Sequence, residues 1–422
     1  MMKIINARLR QQTELFSVEY EHGRFTAITP QESKLALEPN EQLIDADENL
    51  LMTPLVEPHI HLDYVLTAGE PEWNMTGTLF EGIERWGQRK AWVKKSQTDQ
   101  IEDTKRRARQ VVEMLASHGI QYVRTHADTT DPAMIGMQAL LEIKDEVKDL
   151  MDIQIVAFPQ EGIESFDNGR HLLEKAVQMG ADVVGGIPHF EYTRDKGVSS
   201  VKFLVDLADK YDKLIDVHCD ETDDPSSRFL EVLADEVLQR GMGERTTASH
   251  TTAMGSYDNA YCFKLFRLLK QSKINFICCP TESIHLQGRY DGYPKRRGLT
   301  RVPEIDAAGM NVCFAQDSIR DPWYPVGNGN IMRILDAGLH ICHMLGYKDL
   351  SRCLDFVSVN GAKTLNVHND YGIEIGKPAN FIILNAKDDY DALANQAKVM
   401  LSVRHGKVIM QRQLEYCKIL SE

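Results

Sequence analysis

The sequence predicts a (β/α)8 barrel carrying a small β-sandwich domain assembled from both chain ends. Two rhythms predict it. Short strand-like runs separated by turns occupy each terminus, and between them eight apolar runs, each finishing in polar or ionisable residues, are spaced mostly by helix-patterned text.

At the N-terminal end, KIINARL and LFSVEY precede the turn His22-Gly23 and the run FTAIT. Strands this short have little to bury alone. The C-terminal end offers similar text. A turn-rich stretch from Gly372 to Pro378 leads into the apolar run Phe381–Leu384, and LSVRHGKVIM reads as a hairpin turning at His405-Gly406. Packing the two halves together, residues 1–53 with 370–422, gives one β-sandwich.

Residues 54–369 form the expected barrel. Its strands are LMTPLVEPHIH, HGIQYVRTHAD, MDIQIVAFPQ, ADVVGGIPH, KLIDVHCDE, RTTASHTT, INFICCPTE and MNVCFAQDS. Between most of them, apolar residues recur at three and four positions, predicting helices over 101–117, 132–148, 169–179, 199–210, 226–240 and 256–270. An open doubly wound sheet needs a glycine-rich phosphate turn after its first strand for its usual functions, and none is present.

Composition narrows the function. The 422 residues are 43% hydrophobic and 26% charged, with a net formal charge of −14. That balance speaks against a nucleic-acid binder and against an electrostatic anchor on anionic lipid. No apolar run is long enough to cross a membrane, and the N-terminal MMKIINARLRQQ lacks the apolar core of a signal peptide. The eight cysteines contain no CxxC and read as reduced thiols, so a cytoplasmic protein is expected.

The chemistry gathers at predicted strand ends. His59 and His61 stand two apart in a strand, so both imidazoles point to one face. His218, His250 and Asp317 close three later strands, and barrel strand ends converge on one mouth. Imidazole nitrogens with a carboxylate suit one divalent ion, Fe2+ or Zn2+. His59, His61, His218 and Asp317 are the expected ligands, with His250 placed to hold a water. Such an ion lowers the pKa of a bound water from about 15.7 toward neutrality.

Glu221 stands where a proton shuttle would, three residues beyond His218. Asp220 competes for the role, because strand parity puts it on the face of His218 unless the strand has already ended. Gln154, His126, Asp128, His189 and Gln160 are the remaining polar residues of the strand ends. Of these, Gln154 offers a planar amide edge to a ligand. Trp323, six residues beyond Asp317, could cover a flat ring. HExxH, Walker and GxSxG motifs are missing, as is the HxE with PCxxC pattern of compact zinc deaminases. The fourth and fifth strands end without the bridging lysine of a two-metal site, which favours a single ion.

VEPHIHLD, GTLFEGIERW, IQIVAFPQEGI, DVHCDE, ASHTTAM, HLQGRYDGYPKRRG and DPWYP together resemble the amidohydrolase superfamily. Within it, they resemble the bacterial cytosine deaminases over nearly the whole chain. The resemblance implies hydrolytic deamination of a free pyrimidine base at a mononuclear iron or zinc site, in a homo-oligomer, often a hexamer. It implies His59, His61, His218 and Asp317 as ligands and Gln154 as reader of the pyrimidine edge. Glu221 becomes the proton shuttle, His250 orients the water, Asp317 takes the water's proton, and Trp323 stands at the pocket edge. Two other readings stay open: a deaminase of another cyclic amidine such as isoguanine or creatinine, and a non-catalytic ligand-binding barrel.

One departure stands out. The family usually shows two consecutive aspartates at the last strand end, preceded by histidine, whereas this chain reads Gln316-Asp317-Ser318. In the family pocket that second position faces C5 of the ring. A serine there opens space and removes a charge beside an apolar substituent, so 5-methylcytosine is expected as a substrate alongside cytosine.

Overall fold

The structure is a computed structural model that describes residues 2–36, 43–92 and 96–413. Cys417 lies outside the described residues. The chain opens with five short strands: β1 (Met2–Leu9), β2 (Leu15–Glu21), β3 (Arg24–Gln31), β4 (Leu43–Asp45) and β5 (Leu50–Met52). The eight apolar runs follow as β6 (Leu55–Ile60), β7 (Ile120–Asp128), β8 (Asp152–Phe158), β9 (Val183–Gly186), β10 (Leu214–Cys219), β11 (Thr246–His250), β12 (Asn275–Cys278) and β13 (Val312–Phe314). The last strands are β14 (Phe381–Leu384), β15 (Val399–Arg404) and β16 (Lys407–Gln411).

Strands β6 to β13 pair in parallel and in sequence order. The final seam is made by backbone. Asp317 N–H donates to His59 C=O at 2.9 Å and His61 N–H donates to Asp317 C=O at 3.1 Å, which closes the sheet into a barrel. The seam therefore runs through three residues expected to do chemistry. Helices cover the outside, and all six expected ones form, among them Gln97–Ser117, Gly169–Met179 and Phe229–Arg240. Among the described residues, no helix is long and apolar enough to cross a membrane.

The two chain ends share one mixed sheet in the order β16-β15-β14-β5-β1-β2-β3, with β4 beside β1. It folds back on itself. The rings of Tyr20 and Phe25, on β2 and β3, lie 5.7 and 6.1 Å from Phe381 on β14, three or more strands away along the sheet. Ala379 N–H donates to Gly23 C=O at 2.7 Å across the same gap. Both predicted turns form, with positive φ at His22 and Gly23 and at His405 and Gly406. The two tips touch, because a β-carbon on Gly23 would fall 3.0 Å from His405 C=O. Glycine is thus required there by both backbone angle and contact. The apolar side chains of Ile4, Val18, Phe381 and Val403 give this sheet a core separate from that of the barrel.

Candidate active site

The mouth of the barrel collects the strand ends. Asp317 Oδ1 lies 3.4 Å from His59 Nε2 and 3.3 Å from His61 Nε2, and His61 Nε2 lies 3.2 Å from His218 Nε2. Each of these four residues offers a ligand atom within 4.8 Å of the other three, and all are buried. His59 Nε2 has no hydrogen-bond partner among the described residues. Buried imidazole nitrogens facing one another around a carboxylate oxygen are the donor set a divalent cation satisfies. The residues present therefore fit a metal.

A chain of hydrogen bonds orients the first imidazole. His59 Nδ1 lies 3.0 Å from Ser249 Oγ, and Ser249 donates to Asp216 Oδ1 at 2.6 Å. Asp216 Oδ2 accepts from Arg124 Nη1 at 2.9 Å. With its hydroxyl proton committed to Asp216, Ser249 accepts from Nδ1–H and leaves Nε2 as the lone pair facing the mouth. Burial, then the neighbouring imidazoles, holds His218 well below the usual histidine range, which keeps it in the neutral form a metal needs.

Backbone places Asp220 and Glu221 differently. β10 ends at Cys219, and Asp220 leaves it with φ +51°. Its carboxylate accepts from the backbone N–H of Phe229 and Leu230 at 3.0 and 2.9 Å, from Ser227 Oγ at 2.6 Å and from the Tyr257 hydroxyl at 3.2 Å. Asp220 caps the helix Phe229–Arg240 and is spent. Glu221 lines the cavity, and burial, reinforced by the charge of Asp317, pushes its carboxyl well above the usual range.

His250 Nδ1 lies 3.6 Å from Glu221 Oε1 and 3.7 Å from Asp317 Oδ2. Burial holds its imidazole down to about 3, so it is neutral at pH 7. For Asp317, burial alone would raise the pKa, but His250 and His59 draw it well below the usual carboxylate range. The three side chains thus set a raised carboxyl, a neutral imidazole and a lowered carboxylate around one point.

Gln154 is a correction. It sits near the start of β8, so it lies at the opposite end of the barrel from the mouth. Its Oε1 accepts from Arg124 Nε at 3.1 Å and its Nε2 donates to Leu365 C=O at 2.7 Å. Both amide atoms serve the barrel floor, and neither can read a ligand. Gln160, just past the end of β8, lines the cavity instead, its Oε1 accepting from the Tyr64 hydroxyl at 2.9 Å. Ser318 and Trp323 both line the cavity as expected. Trp323 stacks on Tyr64 with ring centroids 4.9 Å apart. Gly82 permits that plate, since a β-carbon there would fall 2.6 Å from the indole.

The amidohydrolase family model matches residues 42–410. The chain belongs to the amidohydrolase family. It is similar to the crystal structure of 5-methylcytosine deaminase from Klebsiella pneumoniae liganded with 5-fluorocytosine. The two are 63% identical, with a TM-score of 0.96 and 99% of each chain covered. N-isopropylammelide isopropyl amidohydrolase from Pseudomonas sp. (strain ADP) is 29% identical over 417 residues, 97% of each chain. Pterin deaminase from Rhizobium rhizogenes is 26% identical over 303 residues, 71% of this chain and 68% of that one.

Within this amidohydrolase, two further features were out of reach of sequence reasoning. Gln160 was visible as a polar strand end, and its place at the very end of the run Met151 to Gln160 was the signal favouring it over Gln154. Glu282 gave no such signal. It stands in the first turn of the helix Pro280–Leu286, where a glutamate ordinarily faces water, yet it is buried and lines the cavity beside Ser318.

Proposed function

We propose that this amidohydrolase deaminates a free pyrimidine base by hydrolysis, converting 5-methylcytosine to thymine and cytosine to uracil with release of ammonia. The observation that carries this reading is the 63% identity with the Klebsiella pneumoniae enzyme over 99% of the chain. The strand-end set His59, His61, His218, Glu221, His250 and Asp317 on one mouth supports it.

His59, His61, His218 and Asp317 would hold one divalent ion, Fe2+ or Zn2+, which when bound makes a water nucleophilic near pH 7. His250 and Asp317 flank the point of attack, the first orienting the water and the second accepting its proton. Glu221, its carboxyl raised by burial, delivers a proton to ring N3, which makes C4 more electrophilic, and then assists the departing amine. Gln160 presents an amide edge to the ring's polar side, taking the role expected of Gln154. Trp323 and Tyr64 cover the ring face. Ser318 stands where the family pattern places the C5 side, and its small side chain leaves space for a methyl group.

The test is ammonia release across a panel of cytosine, 5-methylcytosine, isoguanine and creatinine, with metal analysis on the same preparation. Turnover confined to the two pyrimidines is the expected result. Turnover of isoguanine or creatinine alone would transfer the reading to another cyclic amidine. No turnover with metal present would favour a ligand-binding barrel. We further propose a cytoplasmic homo-oligomer, with a hexamer expected from the family resemblance. The seven described cysteines, all buried and free, support a reducing compartment. Sedimentation of the metal-loaded enzyme measures the subunit count.

A further inference from the structure

Two buried glutamates line the cavity, Glu221 and Glu282, and among the described residues no lysine or arginine lines it with them. Glu221 has its part in the chemistry above. Glu282 has none, although it is only 3% exposed. Its Oε1 lies 3.1 Å from Ser318 Oγ, and its Oε2 has no hydrogen-bond partner among the described residues. The Ser318 hydroxyl donates that bond, and Asp321, three residues on, makes its own contacts. Asp321 is anchored in turn by the backbone N–H groups of Trp323 and Tyr324, both at 3.0 Å.

Ser318 therefore has its one hydroxyl proton committed to Glu282. Burial, then the charges of Asp317, Asp321 and Glu221, lifts Glu282 well above the usual carboxyl range. Burial raises Asp321 only to about 6, because several hydrogen bonds oppose it. A hydroxyl has one proton and two lone pairs. With that proton held by Glu282, the hydroxyl has no donor left to turn toward a ligand.

We propose that Glu282 is a specificity-determining residue. By holding the Ser318 hydroxyl, it keeps the wall beside a pyrimidine's C5 apolar, which suits a 5-alkyl substituent. This rests on the pyrimidine reading given above. The family pattern carries a carboxylate at position 318 itself, but here the carboxyl arrives from a neighbouring strand end. Its 36-residue separation in sequence hides the exchange. The serine is thus more than a smaller residue, because its polar end is turned away from the ring.

The test is the ratio of kcat/KM for 5-methylcytosine over cytosine in the metal-loaded wild type, E282Q, E282L, S318A and the double variant E282L/S318A. In E282L the freed hydroxyl turns into the C5 space, and the ratio should fall roughly tenfold, the lower end of what one methyl group is worth. E282Q still reaches Ser318 and should hold the ratio within about twofold. S318A has no hydroxyl to turn, so its ratio should also hold, and adding E282L to it should move the ratio no further. A glutamate with a merely structural role would depress turnover of both bases together and leave the ratio where it was, which overturns the proposal. So would an E282L effect that persists in the S318A background. Should E282L fail to fold, S318A decides: a tenfold fall in its ratio would mean that the hydroxyl faces the ring. A wild type that releases ammonia from neither base would remove the functional reading, and this inference with it.

Discussion

At the scale of single residues, the site is a study in which polar groups are already committed. Asp220 is held by two backbone N–H groups and by the hydroxyls of Ser227 and Tyr257, whereas Glu221, one residue on, is buried with its carboxyl raised well above the usual range. Replacing Glu221 with Gln should lower kcat by about 10² to 10⁴ and leave metal content unchanged. The pH profile follows from the direction of its shift. In the proposed role Glu221 is an acid, so the competent form is the protonated one, present below its pKa and lost as pH rises through it. Burial moves that loss well above the ordinary carboxylate range. Activity should therefore persist through neutral pH and fall on the alkaline side. An activity already lost above pH 5 would show an ordinary carboxyl in that role.

The same accounting extends to Ser249, which is not itself an expected ligand yet sets the tautomer of His59. Ser249→Ala should weaken metal binding about 10- to 100-fold. Chelator competition measures that change without recourse to turnover. The change leaves Asp216 still paired with Arg124, so folding should survive.

At the scale of elements, function depends on how each strand ends. Asp220, His250 and Asp317 all have positive φ, at +51°, +65° and +70°. For residues with a β-carbon this backbone state costs on the order of 1–3 kcal/mol each. It ends the alternation of strand faces at the point where side chains must turn toward the mouth. Parity reasoning therefore carries only as far as Cys219 on β10, which is why Asp220 and Glu221 were hard to separate by sequence. The β8 element makes the complementary point. Gln154 and Gln160 lie six residues apart, one holding the floor and one lining the cavity. Gln154→Ala should leave KM for the base near wild type and cost about 1–3 kcal/mol of stability, because Arg124 and Leu365 each lose a buried partner. Gln160→Ala should raise KM with little change in melting temperature. Steady-state kinetics paired with thermal melts on both variants checks the assignment.

At the scale of the whole molecule, the barrel is closed by the same residues that form the site. Asp317 pairs by backbone with His59 and His61, so the seam and the donor set are one structure. A bound ion would add its own free energy to that seam, about 4 kcal/mol when present at a thousandfold excess over its Kd. Chelation should therefore lower the melting temperature by several degrees as well as abolish turnover. Restoration by Fe2+ and Zn2+ added separately tells which ion serves. A melting temperature indifferent to chelation would place no metal on the seam.

Much of this was written in the chain itself. Strand–helix alternation specified the barrel, because periods of two and of 3.6 residues are local properties of which side chains meet solvent. Apolar runs too short to stand alone permitted both termini to belong to one β unit, and polar residues at the run ends marked His59, His61, His218, His250 and Asp317. What only tertiary structure decided was the allocation of polar groups. Gln154 is spent on Arg124, Asp220 on a helix end, and Glu282 on a serine 36 residues away. Hydrogen bonds of this kind join distant parts of the chain, and no local pattern records which donor a buried carboxyl or amide will meet. Burial is equally non-local. Whether a glutamate faces water or a cavity depends on what packs over it, and that decided both the raised carboxyl at Glu221 and the unexpected one at Glu282.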